Sequence, residues 1–182
     1  MTTYISLLRG INMSGSKKIL MTELKELYEE AGLEDVKSYI QSGNILFQTK
    51  AKITASTLQT KIETAILDRF GFEVPVINRT LNEFEKIVNA NPFIGDKNID
   101  KEKLHVTFLK DPADKTLIDQ LPQNEFAPDT FKVINKEIYL YIPGGYGVTK
   151  LNNNFFERRL KVSATTRNWK TVNQLLTMAL AY

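Results

Sequence analysis

Three short stretches carry side chains able to do chemistry. The first, Arg9-Gly10-Ile11-Asn12-Met13-Ser14-Gly15-Ser16-Lys17-Lys18, is a polar loop with two glycines and three cations. Glycine permits positive φ, so such a loop can turn several backbone N–H groups toward one point, where an anion fits. Gly10-x4-Gly15-Ser16-Lys17 stands between a strand and a helix, as a phosphate-binding P-loop does. That motif, however, needs lysine directly after the second glycine, and here serine stands first. In the second stretch, Pro143-Gly144-Gly145-Tyr146-Gly147, the glycines allow a ligand close to the backbone, ahead of a helix expected to begin near Thr149. The third, Thr165-Thr166-Arg167-Asn168-Trp169-Lys170-Thr171, sets a guanidinium, an amide, the single tryptophan and a second cation at a helix start. Trp169 is there either a core anchor or a stacking surface beside Arg167.

Other chemistries are bounded by what is scarce. The chain has no cysteine, which excludes disulfides, thiolate catalysis and thiolate metal sites. Its one histidine, His105, falls mid-strand. No Ser-His-Asp order and no metal-ligand spacing can be argued. No residue is therefore assigned a catalytic role, and no metal or cofactor is implied. At 182 residues, 42% apolar and 25% charged, the chain has the usage of a folded globular protein. Tyr4-Ile5-Ser6-Leu7-Leu8 is too short for a signal h-region, and no apolar run nears the ~20 residues of a membrane span, so a soluble, cytoplasmic protein is expected. The net charge is +3, but residues 144–182 hold Lys150, Arg158, Arg159, Lys161, Arg167 and Lys170 against Glu157 alone. This basic segment reads as a solvated helix face or as a phosphate-facing surface.

Periodicity supplies the elements that must position these groups. Thr3–Leu8 reads as a strand, and Met21, Leu24, Leu27, Tyr28 and Ala31 recur at helical spacing with Thr22 as N-cap and Gly32 as stop. Val36–Gln41 and Ile45–Thr49 form a hairpin about Ser42-Gly43-Asn44, whose glycine is expected at positive φ. Thr54 opens a helix that ends at Gly71, with Ile53 and Leu58 as a hydrophobic staple. Phe72–Asn78 reads as a strand, and Thr80-x-x-Glu83 is a capping box for a helix stopping near Asn91-Pro92. The order β-α-β-β-α-β with an extra helix is the ferredoxin-like one.

After a polar stretch the order recurs: strand 104–109, helix 113–121, strands 131–134 and 138–142 about Asn135-Lys136, helix 150–160, strand 162–165 and helix 168–181. The reading is α+β, two tandem ferredoxin-like units over residues 1–91 and 103–182 joined by a linker at 92–102, each with an antiparallel sheet, two helices on one face and an extra helix. The second face of each sheet is expected to carry Tyr4, Ser6, Tyr39, Gln41 and Gln48 in the first unit, and His105, Thr107, Tyr139 and Tyr141 in the second. Polar-aromatic faces of this kind stack bases in RNA-recognition modules. Alternatively, the extra helices or the sheets themselves cover them.

Arg9-Gly10-Ile11-Asn12, the stretch from Lys17-Lys18 to Leu24, Tyr39-Ile40-Gln41-Ser42-Gly43-Asn44 and Thr166-Arg167-Asn168-Trp169-Lys170-Thr171-Val172 together resemble a bacterial family, domain of unknown function 1697, over nearly the whole length. Its members usually follow Arg-Gly-Ile-Asn with a glycine pair, where this chain has Ser14-Gly15. The resemblance implies two ferredoxin-like units and no activity. The expected function is binding of a phosphate-bearing ligand, a nucleotide or nucleic acid, between the two units. Arg9, Gly10, Asn12, Lys17, Lys18, Ser42, Gly43, Asn44, Gly144, Gly145, Arg167, Asn168, Trp169 and Lys170 are the candidate contacts, with the Arg9–Lys18 loop and the Arg167–Lys170 helix start forming one anion site. The alternatives are an enzyme orienting a small polar or anionic substrate through Arg9, Asn44, Arg167 and Asn168, and a plain protein-interaction module.

Overall fold

The computed structural model describes residues 1–182. Fifteen runs of regular structure follow one another: β1 Thr2–Leu8, α1 Met21–Glu30, β2 Glu34–Tyr39, β3 Asn44–Thr49, α2 Ala55–Phe70, β4 Val76–Thr80, α3 Leu81–Asn89, a single 3-10 turn Lys101–Lys103, β5 Leu104–Leu109, α4 Lys115–Asp119, β6 Thr130–Ile134, β7 Glu137–Tyr141, α5 Asn153–Leu160, β8 Ala164–Asn168 and α6 Trp169–Leu180. They form two four-stranded antiparallel sheets, ordered β2-β3-β1-β4 and β6-β7-β5-β8. This is the ferredoxin-like arrangement twice over. By their internal contacts, Met1–Lys86 with Gln174–Tyr182 make one compact unit and Ile87–Asn173 the other.

Local chemistry sets the helix boundaries. Thr54 accepts from the N–H of Thr57 at 3.1 Å, opening α2, and Gly71 closes it in the left-handed conformation at φ +77°. Thr80 and Glu83 bond reciprocally as a capping box at α3: Glu83 Oε2 accepts from the Thr80 N–H at 2.8 Å, and Thr80 Oγ1 accepts from the Glu83 N–H at 3.2 Å. At α1 the expected cap fails. The helix begins two residues ahead of the start expected from Thr22, with Leu20 in the cap position and no side-chain cap bond. β4 starts only at Val76, because Pro75 has no N–H to give a ladder.

The helix-facing cores follow the two-residue period. In the first unit Tyr4, Leu8, Ile45, Phe47 and Val76 pack with Leu24, Leu27 and Tyr28 of α1 and Leu58, Ile62 and Ile66 of α2. In the second, Leu109, Phe131, Ile138, Leu140 and Ala164 pack with Phe155, Phe156 and Leu160 of α5.

The opposite faces correct the sequence reading. Tyr4 lies on the helix side, its ring stacked on Phe47 at 5.6 Å, and Ser6 shares that side, its hydroxyl donating to Asn78 Oδ1. The register His105↔Leu140 and Thr107↔Ile138 likewise puts His105 and Thr107 with the helix-facing residues, so Tyr139 and Tyr141 point the other way. The second faces therefore carry Ile5, Leu7, Leu46 and Ile77 in one unit and Leu104, Val106, Phe108 and Tyr139 in the other, all buried. Tyr139 donates its hydroxyl to the carbonyl of Ile87 at 2.8 Å. Buried apolar faces leave no room for stacked bases.

Gly43 has φ +77°, as the hairpin requires, and a Cβ there would lie 2.7 Å from Leu8 Cβ and 2.9 Å from Ile11 Cδ1. Gly10 has φ +73° but open space around it. Gly43→Ala should lower stability by about 2–4 kcal/mol, adding a clash to the backbone term, while Gly10→Ala should cost only the backbone term of about 1–2 kcal/mol. Denaturant titrations of the two variants test this, and equal losses would refute the close approach at Gly43.

Candidate functional site

The Arg9–Lys18 loop folds upon itself. Asn12 N–H donates to Lys17 O at 3.2 Å and Ser16 N–H to Met13 O at 3.1 Å, closing a miniature hairpin in which Asn12, Ser14, Gly15 and Lys17 all take positive φ. The Asn12 side chain ties this loop to its surroundings: its amide donates to Ile19 O and Gln41 O, both at 2.9 Å, and its oxygen accepts from the Ile19 N–H at 2.9 Å. Lys17 Nζ donates to Glu73 O at 2.6 Å, and Arg9 N–H donates to Pro75 O at 2.9 Å. The Asn12 and Ser16 amides thus serve the loop's own shape.

Ser42, Gly43 and Asn44 are the turn itself. Asn44, fully buried, donates to Tyr39 O at 3.0 Å and Ser42 Oγ at 2.9 Å, while Gly43 O accepts from the Leu8 N–H at 2.8 Å.

Two clefts gather the remaining candidates, each within one unit. In the first unit, a cleft of about 450 Å³ is lined by Asn12, Gly15, Lys18, Gln41 and the start of α1, Leu20–Glu23. In the second, a cleft of about 490 Å³ is lined by Gly145, Asn168, Trp169 and Lys170 together with Lys101, Glu102, Lys103, His105 and Tyr146. Gly144 stands beside this second group in sequence, 3.7 Å from Val148 Cγ2 by its absent Cβ. Arg167 alternates away from Asn168 along β8. It is buried, and its Nη1 donates to Thr165 Oγ1 at 2.7 Å and Thr166 O at 3.0 Å. The basic C-terminal segment thus divides. Lys150, Arg158 and Arg159 line a wider, open cleft of about 700 Å³ beside Phe126 and Phe155, and Lys170 lines the His105 cleft.

The second-unit cleft is built from the ends of elements. The 3-10 turn brings Lys101, Glu102 and Lys103 to the start of β5, which delivers His105 next to Asn168 of β8, its cross-strand partner. Asn168 Oδ1 accepts from the Thr171 N–H at 2.8 Å and so caps α6. Tyr146, from the glycine turn, stacks on His105 at 5.0 Å between centroids. Trp169 is buried and also borders the cleft, so it is core and wall at once. Five of the lining residues, Lys101, Glu102, Lys103, His105 and Tyr146, are not among the candidate contacts read from the sequence. The Lys-Glu-Lys run looks like linker until the strand it opens is placed beside β8.

Residues 1–139 match the model of a family described as a protein of unknown function (DUF1697). The chain belongs to that family. The conserved bacterial protein SP0830 from Streptococcus pneumoniae is similar to this DUF1697 member in structure, with a TM-score of 0.77 at 26% sequence identity over 98% of each chain. No curated protein sequence matches it. No helix of this DUF1697 protein is long and apolar enough to cross a membrane.

His105 is the titratable centre of the cleft. Burial depresses its pKa below the ordinary 6.5, the Lys103 charge adds to that, and the bond from Nδ1 to the Lys103 carbonyl opposes it. A carbonyl only accepts, so Nδ1 carries the proton of the neutral ring, at 3.3 Å from Lys103 O, and Nε2 holds the lone pair. A histidine whose folded pKa is lowered destabilises the fold on acidification, because the unfolded chain takes the proton first. Stability should therefore fall as pH drops below about 6.5. His105→Gln should lose less between pH 7.5 and 5.5 in paired denaturant titrations, and equal losses would contradict the buried neutral ring.

Proposed function

We propose that this protein binds a phosphate-bearing ligand in the His105 cleft of its second unit. One observation carries the reading, and the duplicated fold supplies its control. At the position of His105 and Asn168, the first unit has Tyr4 and Thr80, paired across the same two strands. There the helix start carries its own carboxylate: Glu83, in the first turn of α3, accepts from the N–H and the hydroxyl of Thr80, and its charge answers the partial positive charge of the helix end. Tyr4 closes the same place by lying on Phe47. In the second unit the residue matching Glu83 is Thr171, Tyr4 gives way to His105, and Lys101, Lys103 and Lys170 surround an open cleft against Glu102 alone. A negative group supplied by the protein in one unit is replaced in the other by cations and space. An anion completes the second as Glu83 completes the first.

The cleft's size suits a compact anion or the phosphate end of a nucleotide rather than a continuous nucleic-acid track. A thermal-shift and calorimetric series with pyrophosphate, mononucleotides and short oligonucleotides tests the reading. A ligand at 100 times its Kd should add about 2.7 kcal/mol of stability. Lys170→Glu should abolish the effect, whereas Lys18→Glu, in the other cleft, should leave it unchanged. Failure of every phosphate ligand to bind, or full binding by Lys170→Glu, would overturn the assignment.

A further inference from the structure

His105 stands in a cleft whose charge works against its protonation. Among its neighbours, the preceding 3-10 turn contributes Lys101, Glu102 and Lys103, and the start of α6 contributes Lys170. On the flanking strands its partners are Leu140 of β7 and Asn168 of β8, neither of them charged, and the glycine turn contributes the Tyr146 ring. Burial of the ring, with the Lys103 charge added, favours the neutral imidazole, in a cleft that three lysines line against one carboxylate. The Lys103 carbonyl nevertheless holds Nδ1–H in place, so a second proton has one position to occupy, Nε2. What holds that proton off is the loss of water and, after it, the Lys103 charge, and an anion in the cleft offsets the second of these.

We infer that the cleft takes up its anion together with a proton, which His105 accepts on Nε2. The inference rests on the cleft being the anion site. Its balance is simple: the ligand enters as a dianion, one proton comes from buffer, and the imidazole becomes an imidazolium beside the ligand. By linkage, affinity rises as pH falls, by up to about tenfold per pH unit, the limit for one coupled proton. Acidification weakens the empty fold and tightens the cleft's hold on its anion, because both follow from the same proton on His105.

The chain has a single histidine, so its imidazole NMR resonance needs no assignment. Sulfate is a suitable probe because it stays doubly charged from pH 5.5 to 8.5 and contributes no proton of its own. The resonance of the intact protein should titrate at higher pH with saturating sulfate than without. Calorimetry in buffers of different ionisation enthalpy should show proton uptake on binding. His105→Gln should still bind sulfate, with an affinity that no longer changes between pH 5.5 and 8.5. Binding of sulfate with an unmoved histidine titration and no proton uptake would overturn the inference and leave the anion site standing. Binding of neither sulfate nor pyrophosphate at any pH would overturn both. Because the NMR arm uses the unaltered chain, a variant that fails to fold does not remove the test.

Discussion

A carboxylate that reaches from a helix to the first amide of the neighbouring strand sets the geometry of each unit. Glu63 of α2 accepts from the Val76 N–H at 2.8 Å, and Glu157 of α5 accepts from the Ala164 N–H at 2.9 Å. One turn earlier on each helix a second group engages the strand two residues on, Gln59 with the Asn78 N–H and Asn153 with the Thr166 hydroxyl. These paired contacts pin the register of β4 and β8 against the helices. A slip of one residue would send Val76 and Ala164 out of their cores. They also fix where each strand ends, and therefore where α3 and α6 begin. The cleft at the start of α6 inherits its geometry from Glu157.

The same latch in two units with almost no shared residues shows what the duplication has kept and what it has released. Strand order, register and helix-to-strand bonds are common to both. The place where β1 or β5 meets the following helix is not. Tyr4, with its hydroxyl 3.5 Å from Ile53 O, fills one copy, and His105 with three lysines opens the other. A fold position that tolerates both a closed aromatic plug and a charged cleft is one whose stability is supplied elsewhere, by the latches and by the helix-facing cores.

Much of the architecture was legible in the sequence because local signals and tertiary packing agree. Thr54, the Thr80-x-x-Glu83 box, Gly71 and the Ser42-Gly43-Asn44 turn each solve a backbone problem with nearby atoms, and a sequence displays such solutions directly. The sheet faces were misread because their assignment needs the register between strands far apart in the chain. His105 and Tyr139 are both polar-aromatic, yet the pairing of His105 with Leu140 places them on opposite sides. The start of α1 was missed because no side chain marks it. At the candidate site, Asn168 and Lys170 were visible as a helix start. Lys101 and Lys103 were not, since their role depends on β5 lying against β8.

Residues Gln174–Tyr182 group with Met1–Lys86, and the Tyr182 hydroxyl donates to Asp35 O at 2.6 Å while Lys37 Nζ sits 3.9 Å from the centre of its ring. Burial and the Asp35 charge push that phenol up to about 12, so it stays a donor through the whole physiological range. The first unit is thus discontinuous in the order of synthesis. Met1–Lys86 leaves the ribosome before Ile87–Asn173 and waits for Gln174–Tyr182 while that stretch is made, roughly 4–17 s at ordinary rates of translation. During that interval Asp35 and Lys37 face water without Tyr182, and the exit of the second unit decides when the first is finished.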